Sequence, residues 1–183
     1  MTNLILPHGS NELNTLYIED DMARASMLSA STEMRRLTIS SAAAANAVML
    51  AAGYFNPLEG FMNKEEALNV ATKMLTLNNI FWPIPIVNLT NDSNALDYTH
   101  GEEIALQDPN IEGNPVIAIQ RIESVSKLTD QEIDTMLTNI FGTNDDNHPG
   151  VKNFKLQGKH LISGPIEVLN YSYFTSDFPN TFA

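Results

Sequence analysis

The chain has 183 residues, of which 43% are hydrophobic, enough for one good core or for a domain with a smaller appendage. It carries no cysteine, so disulfides, thiolate metal ligands and a cysteine nucleophile are excluded, and stability must come from packing. With 22 acidic residues against 10 Lys plus Arg, the formal charge of −12 repels polyanions, which disfavours RNA or DNA as the main ligand and leaves few cations to gather a nucleotide or an oxyanion.

No run approaches the roughly 18 to 20 apolar residues a membrane helix needs, and the start, Met1-Thr2-Asn3-Leu4-Ile5-Leu6-Pro7-His8, lacks the basic and apolar regions of an export signal. A cytoplasmic location is the expectation. Residues 1–36 read as an N-terminal extension. Within it, Glu12 to Ile18 is a short apolar segment able to dock on a neighbouring surface, residues 20–36 form a weak helix or connector, and the closing pair Arg35-Arg36 is solvated or salt-bridged.

Leu37-Thr38-Ile39 alternates like a strand. Ser40-Ser41 caps an alanine-rich helix from Ala42 to Ala52, with Gly53 at its C-terminal turn, and the small side chains allow close approach to a sheet. The run Gly53-Tyr54-Phe55-Asn56-Pro57-Leu58-Glu59-Gly60-Phe61-Met62 interleaves turn formers with aromatics and specifies a rigid corner loop. Asn63 opens a second helix, with Glu66 at capping-box spacing and Ala67, Val70, Ala71 and Met74 as its inward stripe. Phe81-Trp82-Pro83-Ile84-Pro85-Ile86 leads into an extended segment through Leu89, since prolines at alternate positions exclude helix.

After a turn at Asn91 to Asn94, Glu103 to Leu106 and Pro115 to Ile122 form an antiparallel hairpin around the turn-rich loop 108–114. Thr129-Asp130-Gln131-Glu132 is a capping box that starts a helix carrying Ile133, Met136, Leu137 and Ile140, ended at Phe141-Gly142. Thr143 to Val151 is a loop. Two short strands, Lys159 to Ser163 and Ile166 to Leu169, are bent at Gly164-Pro165. The tail, 170–183, holds Tyr171, Tyr173, Phe174, Phe178 and Phe182, which either fold back or are covered by another segment or chain. The whole is α+β, a small mixed or antiparallel β-barrel with flanking short helices.

Individual candidates for chemistry fare poorly. His148 has Asp145 and Asp146 nearby, but the loop offers no complete metal ligand set, and packing suits this histidine better. His8, His100 and His160 stand alone. Ser40 and Ser41 lack the Gly-x-Ser-x-Gly elbow and read as caps. Glu59 is read as accepting backbone N–H groups in the corner loop, and Trp82 as a core anchor.

The ordered pieces Gly53 to Met62, Phe81 to Ile86, Ile104 to Asp108, Gly113 to Val116, Phe141-Gly142-Thr143, His148-Pro149-Gly150-Val151 and Ser163 to Ile166 resemble the N-terminal domain of ATP sulfurylase (sulfate adenylyltransferase). The alanine-rich Ser40 to Ala47 and the ending from Leu169 to Phe182 look most like the branch found in sulfur-metabolising bacteria. The resemblance implies a PUA-like fold over 37–169. It marks Tyr54, Asn56, Pro57, Leu58, Gly60, Phe61, Met62, Trp82, Pro83, Pro85, His148, Pro149 and Gly150 as structural signature residues. It further implies that the parent enzyme joins ATP, with magnesium, and sulfate to give adenosine 5′-phosphosulfate and pyrophosphate. The family's Gln-x-Arg-Asn-Pro-x-His signature and its second histidine motif have no counterpart here, so no catalytic, cofactor-binding or metal residue is assigned, and the catalytic domain is expected beyond Ala183. This chain is expected to be inactive alone and to buttress that domain, with a homo-oligomer as a further expectation and neither nucleic acid nor membrane as partner. The alternative is a free-standing PUA-like module that binds RNA or docks on a separate protein; the charge opposes the first form and the aromatic tail suits the second.

Overall fold

The computed structural model describes residues 5–181. In chain order its elements are α1 (Asp21–Ala30), β1 (Arg35–Thr38), α2 (Ser41–Ala51), β2 (Gly60–Phe61), α3 (Lys64–Lys73), β3 (Asn88–Thr90), a 3-10 turn (Ser93–Asp97), β4 (Glu103–Gln107), β5 (Val116–Arg121), β6 (Ser124–Lys127), α4 (Asp130–Phe141), α5 (Pro149–Gln157), β7 (His160–Val168) and α6 (Phe174–Asp177). They divide into two units. One gathers the chain up to Gly60, Glu103–Arg121 and the chain from Pro165; the other gathers Phe61–Glu102 and Ile122–Gly164.

In the first unit β4 is central, parallel to β1 and antiparallel to β5, and β5 pairs antiparallel with the second half of β7. The β4–β5 hairpin matches the sequence reading. The parallel partner β1 makes the sheet mixed. Helix α2 is capped by the Ser40 side chain, which accepts the Ala43 N–H at 3.0 Å, and Gly53 follows its end at φ +76°. Ala43, Ala44, Ala47 and Ala51 are buried, and α2 packs on β5, where methyl groups permit the close approach. Ala105, Ile119 and Leu169 form a separate cluster joined by Ile18, Met27, Met34 and Val116. The segment at Tyr17 docks as a parallel bridge to Val168, with Ile18 N–H donating to the Val168 carbonyl at 3.0 Å.

The second unit places β3 and β6 on either side of the first half of β7, both antiparallel to it, while α4 packs against α3 and α5. Its buried side chains include Val70, Trp82, Leu89, Ile122, Leu128, Met136, Leu137, Phe154, Leu161 and Ile162. The capping box of α4 forms in full: Thr129 Oγ1 accepts the Glu132 N–H at 3.2 Å, and Glu132 Oε2 accepts the Thr129 N–H at 2.8 Å. Thr129→Ala therefore costs about 1 kcal/mol in a denaturant titration, the usual loss of an N-cap.

Four sequence expectations change. Helix α3 ends at Lys73, and Met74 is its left-handed C-cap (φ 54°), half exposed rather than on the inward stripe. Glu66 does not close a box with Asn63, because its carboxylate accepts the Leu77 N–H instead. The two short strands around Gly164-Pro165 are one strand, β7. Its registers stop at Ser163 on one side and resume at Ile166 on the other, so the residue at φ +138° and the proline without an N–H lie between them, where no partner needs that donor. Helix α5 occupies the end of the segment read as loop, and β6 adds a strand that the sequence reading passed over.

Candidate functional site

The corner between α2 and α3 is built from its backbone outward. Gly53 lies against the N-terminal segment: a Cβ there would come within 2.9 Å of Leu13 Cδ1 and 3.2 Å of the Asn14 carbonyl oxygen. Asn56, buried and followed by a cis bond to Pro57, spends its whole amide on that same segment. Its Nδ2 donates to the His8 carbonyl at 2.9 Å and to Ser10 Oγ at 2.8 Å, and its Oδ1 accepts the Asn14 N–H at 2.8 Å. Pro57 and Leu58 are half-buried, and Leu58 N–H closes the turn on the Phe55 carbonyl at 2.8 Å. Tyr54 is exposed. Glu59 contributes its backbone carbonyl, which accepts the Ile166 N–H at 3.0 Å, while its side chain is exposed; the side-chain acceptor in this corner is Asn56, not Glu59.

Gly60 and Phe61 form β2, Phe61 and Met62 are buried, and Met62 N–H donates to the Ile86 carbonyl at 2.9 Å. Trp82 is a core side chain, as expected, with its backbone N–H on the Met74 carbonyl at 2.9 Å; Pro85 is buried and Pro83 exposed. Of these residues, Asn56 and Leu58 close turns and Phe61, Met62, Trp82 and Pro85 are buried in packing, whereas Tyr54 and Pro83 are exposed.

His148 is not a loop residue. It is the N-cap of α5, with Nδ1 facing the Val151 N–H at 3.4 Å and its ring 5.3 Å from that of Phe141. Pro149 takes the first helical position, where its missing N–H costs nothing. Gly150 leaves room for Phe141, whose ring would meet a Cβ at 2.6 Å. The neighbouring carboxylates turn elsewhere. Asp145 accepts the Asn147 backbone and side-chain N–H groups, which hold its carboxyl below the usual range, and Asp146 bonds Lys155 at 2.7 Å, which pushes the lysine up. Among the described residues no three His, Asp or Glu side chains are grouped as a metal site.

Two other lysines are likewise engaged. Lys159 bonds Asp130 and holds that carboxyl low. Lys64 pairs with Glu132 at 2.7 Å; burial pushes the Glu132 carboxyl up, and the bonds from Lys64 and Thr129 outweigh it. Arg35 and Arg36 are exposed neighbours on β1, where successive side chains leave opposite faces, so they do not form one anion clamp.

One grouping was invisible in the sequence. Tyr17 lies between Tyr171, stacked at 4.4 Å with the rings 19° apart, and the Arg24 guanidinium, 4.9 Å from its centroid. Arg24 is held by the Ile18 and Glu19 carbonyls and by Asp21. Burial raises the Tyr171 hydroxyl above its ordinary pKa, with Tyr17 and Glu19 adding to the effect. Spacings of 7 and 154 residues leave no periodic signal that could have found it.

A mixed α+β sheet with flanking helices and a turn-built corner defines the class of fold. The chain belongs to the PUA-like domain family, whose profile matches residues 5–171. It is 47% identical over 182 residues to the sulfate adenylyltransferase of Alcanivorax borkumensis, covering 100% of this chain and 45% of that protein. The sulfate adenylyltransferase of Allochromatium vinosum is 43% identical over 179 residues, covering 98% of this chain and again 45% of the relative. The matched part is the N-terminal part of those enzymes, so the chain spans about half the length of the curated relatives it matches. Among solved structures, the one described as hexameric APS kinase from Thiobacillus denitrificans superposes with a TM-score of 0.65 at 22% identity, covering 94% of this chain and 29% of that one. That likeness concerns the fold.

Proposed function

We propose that this chain acts as the non-catalytic N-terminal part of a cytoplasmic sulfate adenylyltransferase, which as a whole joins ATP and sulfate to give adenosine 5′-phosphosulfate and pyrophosphate. Its role is to buttress the catalytic part. The observation that carries this reading is identity of 47% along the full chain with an enzyme of which it covers only 45%. The scarcity of cations, 10 Lys plus Arg against 22 acids, supports it, since adenylyl transfer requires clustered positive charge on the phosphates. ATP, magnesium and sulfate are then requirements of the catalytic part. The 183-residue chain is expected to release no pyrophosphate from ATP and sulfate, whereas a protein that joins it to the catalytic part of such an enzyme does. Robust turnover by the chain alone would overturn the reading.

A further inference from the structure

We infer that Asp108, Asn170 and Ser172, with the Tyr17–Tyr171 stack, form an exit clamp that fixes the direction in which the chain leaves this domain, and so orients the catalytic part relative to it. The inference rests on the reading of the chain as the N-terminal part of a sulfate adenylyltransferase.

The clamp starts where the sheet ends. Leu169, buried, donates its N–H to the Ile117 carbonyl at 2.8 Å, and the Asn170 side-chain amide donates to the Val116 carbonyl at 2.8 Å. Asn170 Oδ1 then accepts the Ser172 N–H at 2.8 Å, which folds the chain back on itself. Ser172 adopts φ +56°, a left-handed conformation that a non-glycine residue holds only when its surroundings determine it. The determinant is its hydroxyl, which donates to Asp108 Oδ2.

Asp108 is fully buried, and its other oxygen accepts the Asn110 backbone N–H at 2.8 Å and the Asn110 side-chain amide at 3.0 Å. A buried carboxylate is tolerated only when hydrogen bonds replace its lost hydration. Asn110 alone would make this the local cap of a turn. The bond from Ser172, 64 residues away, is what a local cap does not need. Tyr171, between the two polar anchors, has its ring on Tyr17, which Arg24 holds from nearby. Past this point the tail carries aromatic rings: those of Tyr173 and Phe174 lie 4.8 Å apart, those of Phe174 and Phe178 5.7 Å apart, and Phe178 is half exposed. A fixed base followed at once by a short helix turn that carries aromatic rings suits a junction that hands an orientation to what it carries.

The test uses Ser172→Ala and Ser172→Gly, both at the outer end of the clamp. Glycine relieves the left-handed backbone yet removes the hydroxyl, so it separates the hydrogen bond from backbone geometry. In the 183-residue chain, backbone order parameters from 15N relaxation for the non-proline residues of 173–181 are expected to fall from rigid values of about 0.85 to below about 0.6 in both variants, with the sheet amides unchanged. Unchanged order in either variant, or a tail already mobile in the unsubstituted chain, would overturn the clamp. In the protein carrying the catalytic part, kcat for pyrophosphate release is expected to fall about tenfold with the KM for ATP and sulfate unchanged, because misorientation removes positioning rather than binding. A loosened tail with unchanged kcat would overturn the orienting role. Absence of turnover in the unsubstituted two-part protein would instead defeat the parent reading, leaving the relaxation result to decide the clamp.

Discussion

Gly158→Ala is expected to lower the free energy of unfolding by about 3–5 kcal/mol, from left-handed strain and overpacking together, against about 1–2 kcal/mol for Gly142→Ala from left-handed strain alone. Both glycines have positive φ, +115° and +71°. They differ in what surrounds them. A Cβ at Gly142 meets nothing within 4 Å, whereas one at Gly158 would lie 2.2 Å from the Thr90 carbonyl carbon, 2.3 Å from its oxygen and 2.5 Å from the Asn91 nitrogen. Those are backbone atoms, so no rotamer change relieves the overlap. Thr90 is also fixed, since it pairs with His160 at the end of β3 and its hydroxyl accepts the Asp92 N–H at 3.0 Å. Urea titrations of the two variants measure the difference. Equal losses would mean that the end of β3 yields, and that its pairing to β7 contributes less than its geometry implies.

What the sequence made legible is what depends on near neighbours. Ser40 before a run of alanines, Thr129 with Glu132 and the Gly142 stop each act within four residues, and all three appear in the structure where their chemistry places them. The hairpin of β4 and β5 was legible because its loop is dense in turn residues. Helix α5 was missed because Pro149-Gly150 after Asn144 to His148 looks like more loop, and only Val151 and Phe154 signal a buried face. Strand β6, Ser-Val-Ser-Lys, has almost no strand propensity of its own; its pairing with β7, including the 2.7 Å contact between the Ser124 and Ser163 hydroxyls, decides it. Met74 breaks the stripe because a wheel assumes helical dihedrals, and nothing in the residue itself announces a left-handed cap. The same limit applies to the candidate site. Gly53 to Met62 could be read as a corner, but the partners of Asn56 lie 42 to 48 residues away, and Ser172 from Asp108 and Tyr17 from Tyr171 farther still.

Asn56→Ala tests the corner itself and is expected to cost about 2–4 kcal/mol, because it removes three hydrogen bonds at a buried amide and strands their partners. The effect should be local in one respect. Asn14 loses its acceptor, so its amide exchanges faster, whereas Leu16 N–H on the Ala51 carbonyl at 3.2 Å and Ile18 N–H on the Val168 carbonyl at 3.0 Å do not depend on Asn56 and keep their protection. Asn56→Asp sharpens the argument. The introduced carboxyl can still accept from Asn14, but its second oxygen faces the His8 carbonyl and the Ser10 hydroxyl, where the native group donates. Ionisation there is disfavoured, so the folded-state pKa of that carboxyl lies above its unfolded value and the folded protein binds the extra proton. Stability of the Asn56→Asp variant therefore falls, relative to the native chain, as pH rises from the ordinary carboxylate range up through the raised folded-state pKa, and is partly restored at the acid end, where the neutral carboxyl can donate to His8. Denaturant midpoints across that range read the slope directly. A flat difference, or an Asn14 amide no less protected in Asn56→Ala, would mean that the amide does not hold the N-terminal segment and that Gly53 with its close contact to Leu13 suffices.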